Sequence, residues 1–273
     1  MKIETISILG CGWYGLGLAK VLVAKGYTLK GSTTSEDKLT LLKAANIIPY
    51  LINFENDFAS YEEDFFNCDV LIICIPPKRD AQADYPNKIN KIALAAKKAQ
   101  VKQVIFISST GIFQNGNFIV DEKIIPEPTT NAGQALLAAE ETLKQDLHFT
   151  TTIIRFAGLI GPNRNLAKHF AGKVAIANGL APINLIHLVD CIGITTEIIA
   201  QKAFGNIYHG VTPDHPSRKD FYSKACLASG LEKPAFTNEL LDWKQIESIN
   251  VSEVLAYEYV YDTWNKYFNE LTQ

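Results

Sequence analysis

The chain has 273 residues, 47% of them apolar, enough to bury a large core as one α/β domain or as a domain with a lobe. Its 26 basic and 29 acidic residues give a net charge of −3, which argues against nucleic-acid or anionic-membrane partners, and no apolar run approaches the roughly 20 residues of a membrane span. Five cysteines without a CxxC pair and five histidines without ligand spacing leave no metal pattern; they fit free thiols in a reducing cytoplasm, the expected location.

The first apolar run, Ile3 to Leu9, reads as a strand rather than a secretory signal, and it leads directly into Gly10-Cys11-Gly12-Trp13-Tyr14-Gly15. A glycine-rich turn between a buried strand and a helix builds a dinucleotide pyrophosphate site. Gly10 permits the tight turn, Gly12 lets backbone N–H groups approach the phosphates, and Gly15 lets the helix pack closely on the strand. Trp13 and Tyr14 either cover the pyrophosphate or pack. A second strand spans Tyr27 to Ser32, and a helix with Ser35 as its N-cap runs to Ala44. Strands follow at Ile47–Ile52 and Asp69–Ile75, the latter apolar enough to be buried on both faces and stopped by Pro76-Pro77. A helix from Asp84 to Ala99 leads to a fifth strand, Gln103–Ile107. A proline-bearing loop, Asp121 to Pro128, precedes a helix at Asn131–Gln145 and a sixth strand at Thr150–Phe156. Beyond it lie loops and one helix (158–182), a short strand ending at His187, a helix from Val189 to Gln201, a strand at Ile207–His209 and a helix at Arg218–Ala228.

Alternating strands and helices predict a doubly wound parallel sheet, a Rossmann fold. Residues 1–157 form the expected dinucleotide-binding core, and residues 158–273 complete the sheet and form a small α/β substrate lobe. Ligands in such sheets bind at the carboxyl ends of strands, which directs attention to the loops after the first, second, fourth, fifth and sixth strands. Ile75, Pro76 and Pro77 therefore wall the cofactor path. The place where an NAD site carries an acid, about 20 residues past the glycines, reads Ser32-Thr33-Thr34 with Lys38 nearby. Hydroxyls and a lysine suit a 2′-phosphate, so NADP is expected, with NAD as the alternative.

Several passages resemble the extended, epimerase-like branch of the short-chain dehydrogenase/reductase superfamily. Val104 to Phe113 is similar to its strand ending in paired serines, Ile154 to Pro162 to its loop along the nicotinamide ribose, and His187-Leu188-Val189-Asp190 to the opening of its late helix. The glycine turn, the Ser108-Ser109-Thr110 run and Ala157-Gly158-Leu159 are most similar to the atypical YeeZ-like group. The resemblance implies that Ser108, Phe156 and Ala157 contact cofactor, that Ser109 is the catalytic hydroxyl unless it merely satisfies local backbone, and that Thr110 lies beside substrate. It also implies a homodimer through helices near 93–99 and 135–143. A β-hydroxyacid dehydrogenase begins similarly but continues into a helical domain, which this chain does not.

The family's Tyr-x-x-x-Lys dyad is missing. Its register falls on Ala132 and Leu136, and none of the eleven tyrosines is followed by lysine at the fourth position. Asn131, as ligand or N-cap, and Arg155, as anion grip or buried ion-pair partner, remain for substrate. His187 is a general acid/base by type or a core residue; Asp190 is a cap or structural partner. The expected function is an NADP-dependent oxidoreductase or epimerase-like enzyme on a small polar, sugar-derived substrate, or else a non-catalytic dinucleotide sensor or scaffold.

Overall fold

Eleven strands and eight α-helices are found in the computed structural model, which describes residues 2–54, 61–78 and 83–272. In chain order they are β1 (Thr5–Leu9), α1 (Trp13–Ala24), β2 (Thr28–Thr33), α2 (Asp37–Ala44), β3 (Ile48–Leu51), β4 (Val70–Ile73), α3 (Tyr85–Lys98), β5 (Gln103–Ser109), β6 (Phe118–Val120), α4 (Asn131–Gln145), β7 (Thr150–Phe156), β8 (Gly158–Ile160), β9 (Leu185–His187), α5 (Leu188–Gln201), β10 (Ile207–Gly210), α6 (Arg218–Ala228), β11 (Lys244–Ile246), α7 (Asn250–Glu253) and α8 (Asn265–Leu271).

The main sheet has seven strands in the order β10-β7-β5-β4-β1-β2-β3. Pairings from β3 across to β5 are parallel, with Ile6 opposite Leu29 on one side and Val70 on the other. The order reverses between β1 and β4, the switch point where such sheets open a crevice at their carboxyl ends. The central strands are buried on both faces: Ile6, Ile8, Val70 to Ile73 and Val104 to Phe106 all lie in the core. Two small parallel pairs stand outside this sheet: β8 with β9, and β6 with β11, where Phe118 faces Lys244.

The chain forms two compact units from interleaved segments. Unit 1 comprises 1–112, 126–155 and 195–207; unit 2 comprises 113–125, 156–194 and 208–273. In unit 1, α3 and α4 pack on each other, burying Ala93, Ala96, Ala135, Ala139 and Leu143. The core of unit 2 is aromatic, with Phe221 edge-on to Trp264 at 5.2 Å.

Thr130, not Asn131, caps α4: its Oγ1 accepts from the Gly133 N–H at 3.1 Å, and Asn131 is the first, exposed helical residue. Ser35 does not cap α2. Its own N–H donates to Thr33 Oγ1 at 3.1 Å, and Glu36, already helical in backbone, occupies the cap position without a side-chain bond. Among the described residues no helix is long and apolar enough to cross a membrane, and no cluster of acids, histidines and cysteines could hold a metal.

Candidate dinucleotide site

An open cleft of about 270 Å³ lies within unit 1 at the carboxyl ends of β1, β2, β3 and β4. Its floor is the turn from β1 into α1, and the three glycines there do separable jobs. Gly10 adopts φ +103°, and a Cβ on it would come 2.9 Å from Ile75 Cγ2. A Cβ on Gly15 would meet the Gly10 carbonyl oxygen at 2.3 Å, so glycine is what lets α1 seat on the turn. A Cβ on Gly12 would meet nothing within 4 Å. Gly12 is exposed, lines the cleft and is the N-cap of α1, with no side-chain hydrogen bond at the cap, and a helix N-terminus favours an anion.

Ser32, at the end of β2, holds the turn in place. Its Oγ accepts from Gly10 N–H at 2.9 Å and its carbonyl from Cys11 N–H at 2.9 Å. Cys11 itself is buried, which pushes its thiol up to about 12, so it packs rather than reacts. Thr33 is buried and Thr34 exposed, and both line the cleft beside Lys38. Ile75 and Pro76 form the β4 side with Lys78 and Lys88; Pro77 is not part of the lining. Ile52, Asn53 and Phe54, at the exit of β3, also line it. The loop after the third strand was absent from the sequence expectations, although β3 is paired to β2 and its exit therefore opens on the same edge.

The other expected residues are not part of this lining. Tyr14 is buried, and its hydroxyl shares a 2.6 Å hydrogen bond with Thr195 Oγ1 on α5; Trp13 is half-buried at the start of α1. Ser108 and Ser109 end β5. Ser109 Oγ accepts from Gly111 N–H at 3.0 Å, while the buried Ser108 Oγ has no hydrogen-bond partner among the described residues. Thr110 is buried in the following 3₁₀ turn. Arg155 is 3% exposed and clasps Glu140 on α4, Nη2 to Oε2 at 2.7 Å and Nε to Oε1 at 3.1 Å. That pair ties β7 to α4 within unit 1.

In unit 2, Phe156 packs on the Gly210 backbone, where a Cβ would meet its ring at 2.3 Å, and Ala157 N–H donates to Gly210 at 2.9 Å. His187 is buried against the Tyr261 ring, 3.8 Å between centroids, and its Nδ1 accepts from Val189 N–H at 3.3 Å. Burial lowers its pKa to about 4, with Lys266 acting in the same direction and Glu270 opposing, so the ring is neutral at physiological pH. Asp190 accepts from Tyr257 Oη, Val260 N–H and Tyr261 N–H at 2.7–3.1 Å, anchoring the C-terminal segment.

A doubly wound sheet whose first strand enters a helix through three such glycines at the switch point defines a dinucleotide-binding protein of the Rossmann type. Residues 10–173 match the NAD(P)H-binding family, and the chain is 32% identical over 265 residues to protein YeeZ of Escherichia coli K12, across 94% of this chain and 96% of that protein. The chain thus belongs to the NAD(P)H-binding family, as a homologue of YeeZ. Solved structures share the fold. A functionally unknown conserved protein from Silicibacter pomeroyi DSS superimposes with TM-score 0.79 at 20% identity over 98% of both chains. UDP-glucuronic acid 4-epimerase from Bacillus cereus, in complex with NAD, gives 0.78 at 17% identity over 99% of this chain and 100% of that one. MoeE5 in complex with UDP-glucose and NAD gives 0.75 at 14% identity over 93% of each.

Proposed function

We propose that this chain is an NADP-dependent oxidoreductase or epimerase-like enzyme acting on a small polar, sugar-derived substrate. The observation that carries the cofactor preference is the β2 side of the cleft: Ser32, Thr33, Thr34 and Lys38 line it, and the described lining contains no carboxylate. A ribose 2′-hydroxyl is normally held by such a carboxylate, whereas hydroxyls and an ammonium suit a 2′-phosphate.

When bound, the nicotinamide supplies hydride transfer. The chain's own contribution centres on the end of β5. Because Ser109 Oγ already accepts from Gly111 N–H, its own O–H is left to donate to a substrate oxygen. The buried, unpartnered Ser108 hydroxyl calls for a ligand, since such a group otherwise costs about 1–3 kcal/mol. Thr110 and Asn131 stay with the proposal as substrate contacts, and Phe156 and Ala157 as cofactor contacts. Arg155, engaged by Glu140, and His187, neutral inside unit 2, are not carried into it. The UDP-sugars bound by fold neighbours support a sugar-derived substrate.

A second reading, a non-catalytic dinucleotide sensor, is favoured by one observation. The dyad register falls on Ala132 and Leu136, and Leu136 is buried as packing. The test has two stages. Titration with NADPH and NADH, followed by nicotinamide fluorescence with Gly12→Glu as the blocked-site control, should show Gly12-dependent binding that favours NADPH. Turnover of a UDP-sugar panel should then be detectable. NADH preferred overturns the 2′-phosphate reading; binding without turnover on any panel member favours the sensor.

A further inference from the structure

Three lysines line the cleft from three separate parts of unit 1: Lys38 on α2, Lys78 after β4, and Lys88 on α3. The glycine turn, by contrast, brings no cation. The first turn of α1 is Trp13-Tyr14-Gly15, and its N-cap is Gly12. A pyrophosphate seated there would meet backbone N–H groups alone unless a lysine reached it from another element.

Two contacts say which lysine that is. Tyr85 Oη donates to the Ile75 carbonyl at 2.7 Å, pinning the first turn of α3 to the exit of β4. Ile75 in turn lies against the glycine turn, its Cγ2 2.9 Å from where a Gly10 Cβ would be. Lys88 is three residues beyond Tyr85, on the same helix face, and is half-buried. It therefore stands on the side of the cleft shared by β4 and the glycine turn. Lys38 stands on the other side, with Thr33 and Thr34. Lys78 is exposed on the β4 side, where an ion pair in water contributes little.

We propose that Lys88 is the cationic ligand of the dinucleotide pyrophosphate and that Lys38 serves the 2′-phosphate, two lysines reading two different anionic groups. The inference rests on the dinucleotide reading above. It assigns to α3 a residue of the binding site that no glycine-motif argument would reach.

The test is a fluorescence titration of the full chain with NADPH and with NADH, for wild type, Lys88→Ala, Lys88→Gln, Lys88→Arg and Lys38→Ala, with thermal unfolding of each as the folding control. Loss of the Lys88 charge, by Ala or Gln, should weaken both nucleotides by the same factor, about tenfold, and Arg should restore most of it. Lys38→Ala should weaken NADPH alone. If Lys88→Ala and Lys88→Gln leave both affinities unchanged, or weaken only NADPH, the assignment is wrong although the site stands. If wild type binds neither nucleotide, the dinucleotide reading itself falls, a distinct result.

Discussion

Substituting the three glycines of the turn one at a time separates folding from binding, because the space beside each differs. At Gly12 the backbone has φ −80°, and an added methyl meets nothing within 4 Å. Alanine there gains about 0.4–1 kcal/mol by restricting the unfolded chain and loses a similar amount as a poorer N-cap, so stability should stay within about 0.5 kcal/mol of wild type. Gly12 nonetheless lines the cleft, and on the proposed reading a methyl there crowds the phosphate oxygens, so NADPH affinity should fall at least about tenfold, or 1.4 kcal/mol. At Gly15 the methyl would lie 2.3 Å from the Gly10 carbonyl oxygen, with backbone rather than a flexible side chain in the way. Such overpacking costs about 1–3 kcal/mol. Gly10→Ala adds the left-handed φ of +103° to a 2.9 Å contact and should lose a comparable amount. The assay is urea unfolding beside NADPH titration for all three. Gly12→Ala that binds like wild type, or that unfolds as early as Gly15→Ala, would refute the assignment of Gly12 to the phosphates.

Two further predictions concern Arg155 and His187, for which the structure shows local partners. Glu140→Gln removes the carboxylate that the buried Arg155 guanidinium clasps and should cost about 3–5 kcal/mol in urea unfolding, most of it recovered by Glu140→Leu with Arg155→Met; a loss below about 1 kcal/mol would show that the pair is not the tie between β7 and α4. His187 titrates near 4 when folded against 6.5 unfolded, so below pH 6.5 the unfolded chain binds a proton that the folded chain does not. The stabilisation is complete above pH 6.5 and is lost as pH falls toward 4, by at most about 3 kcal/mol. His187→Phe should flatten the urea midpoint across that window, and an unchanged slope would place the acid sensitivity elsewhere.

Elements bounded by local chemistry were legible in the sequence; those bounded by distant partners were not. Helices α4 and α6 were expected at the bounds they have, although the caps themselves were not: Thr130, not Asn131, accepts from Gly133 at α4, and Ser217 accepts the Asp220 N–H at α6. The three-residue strands β6 and β11 find each other only through the fold, Phe118 facing Lys244, and neither segment carries a strand pattern long enough to register. The glycine turn was read residue by residue because Gly10 and Gly15 answer steric demands that their neighbours impose, whereas Gly12 leaves the cleft side of the turn open. Lys88 and Phe54 were out of reach for a different reason. They approach the cleft through the order of strands and the seating of α3, which spacing along the chain does not reveal.

No tyrosine of this chain is followed by lysine at the fourth position, and on the proposed reading, in which the family's Tyr-x-x-x-Lys dyad is absent, that has a physical consequence. The dyad's tyrosine works because a neighbouring lysine lowers the phenol's pKa toward the working pH. In this chain the tyrosines with shifted pKa, Tyr50, Tyr85, Tyr222, Tyr257, Tyr259, Tyr261 and Tyr267, all move upward, burial being the first cause in each. None of them is a substitute phenol, and the buried His187 has moved below the useful range from the other direction. Ser109 can orient an oxygen by donating a hydrogen bond, but a serine hydroxyl is no base near neutrality. The proposed site is therefore equipped to bind and orient more than to move protons. Such a site suits a substrate that supplies its own ionisable group or exchanges its proton through water, and it is the reason turnover has to be measured apart from binding.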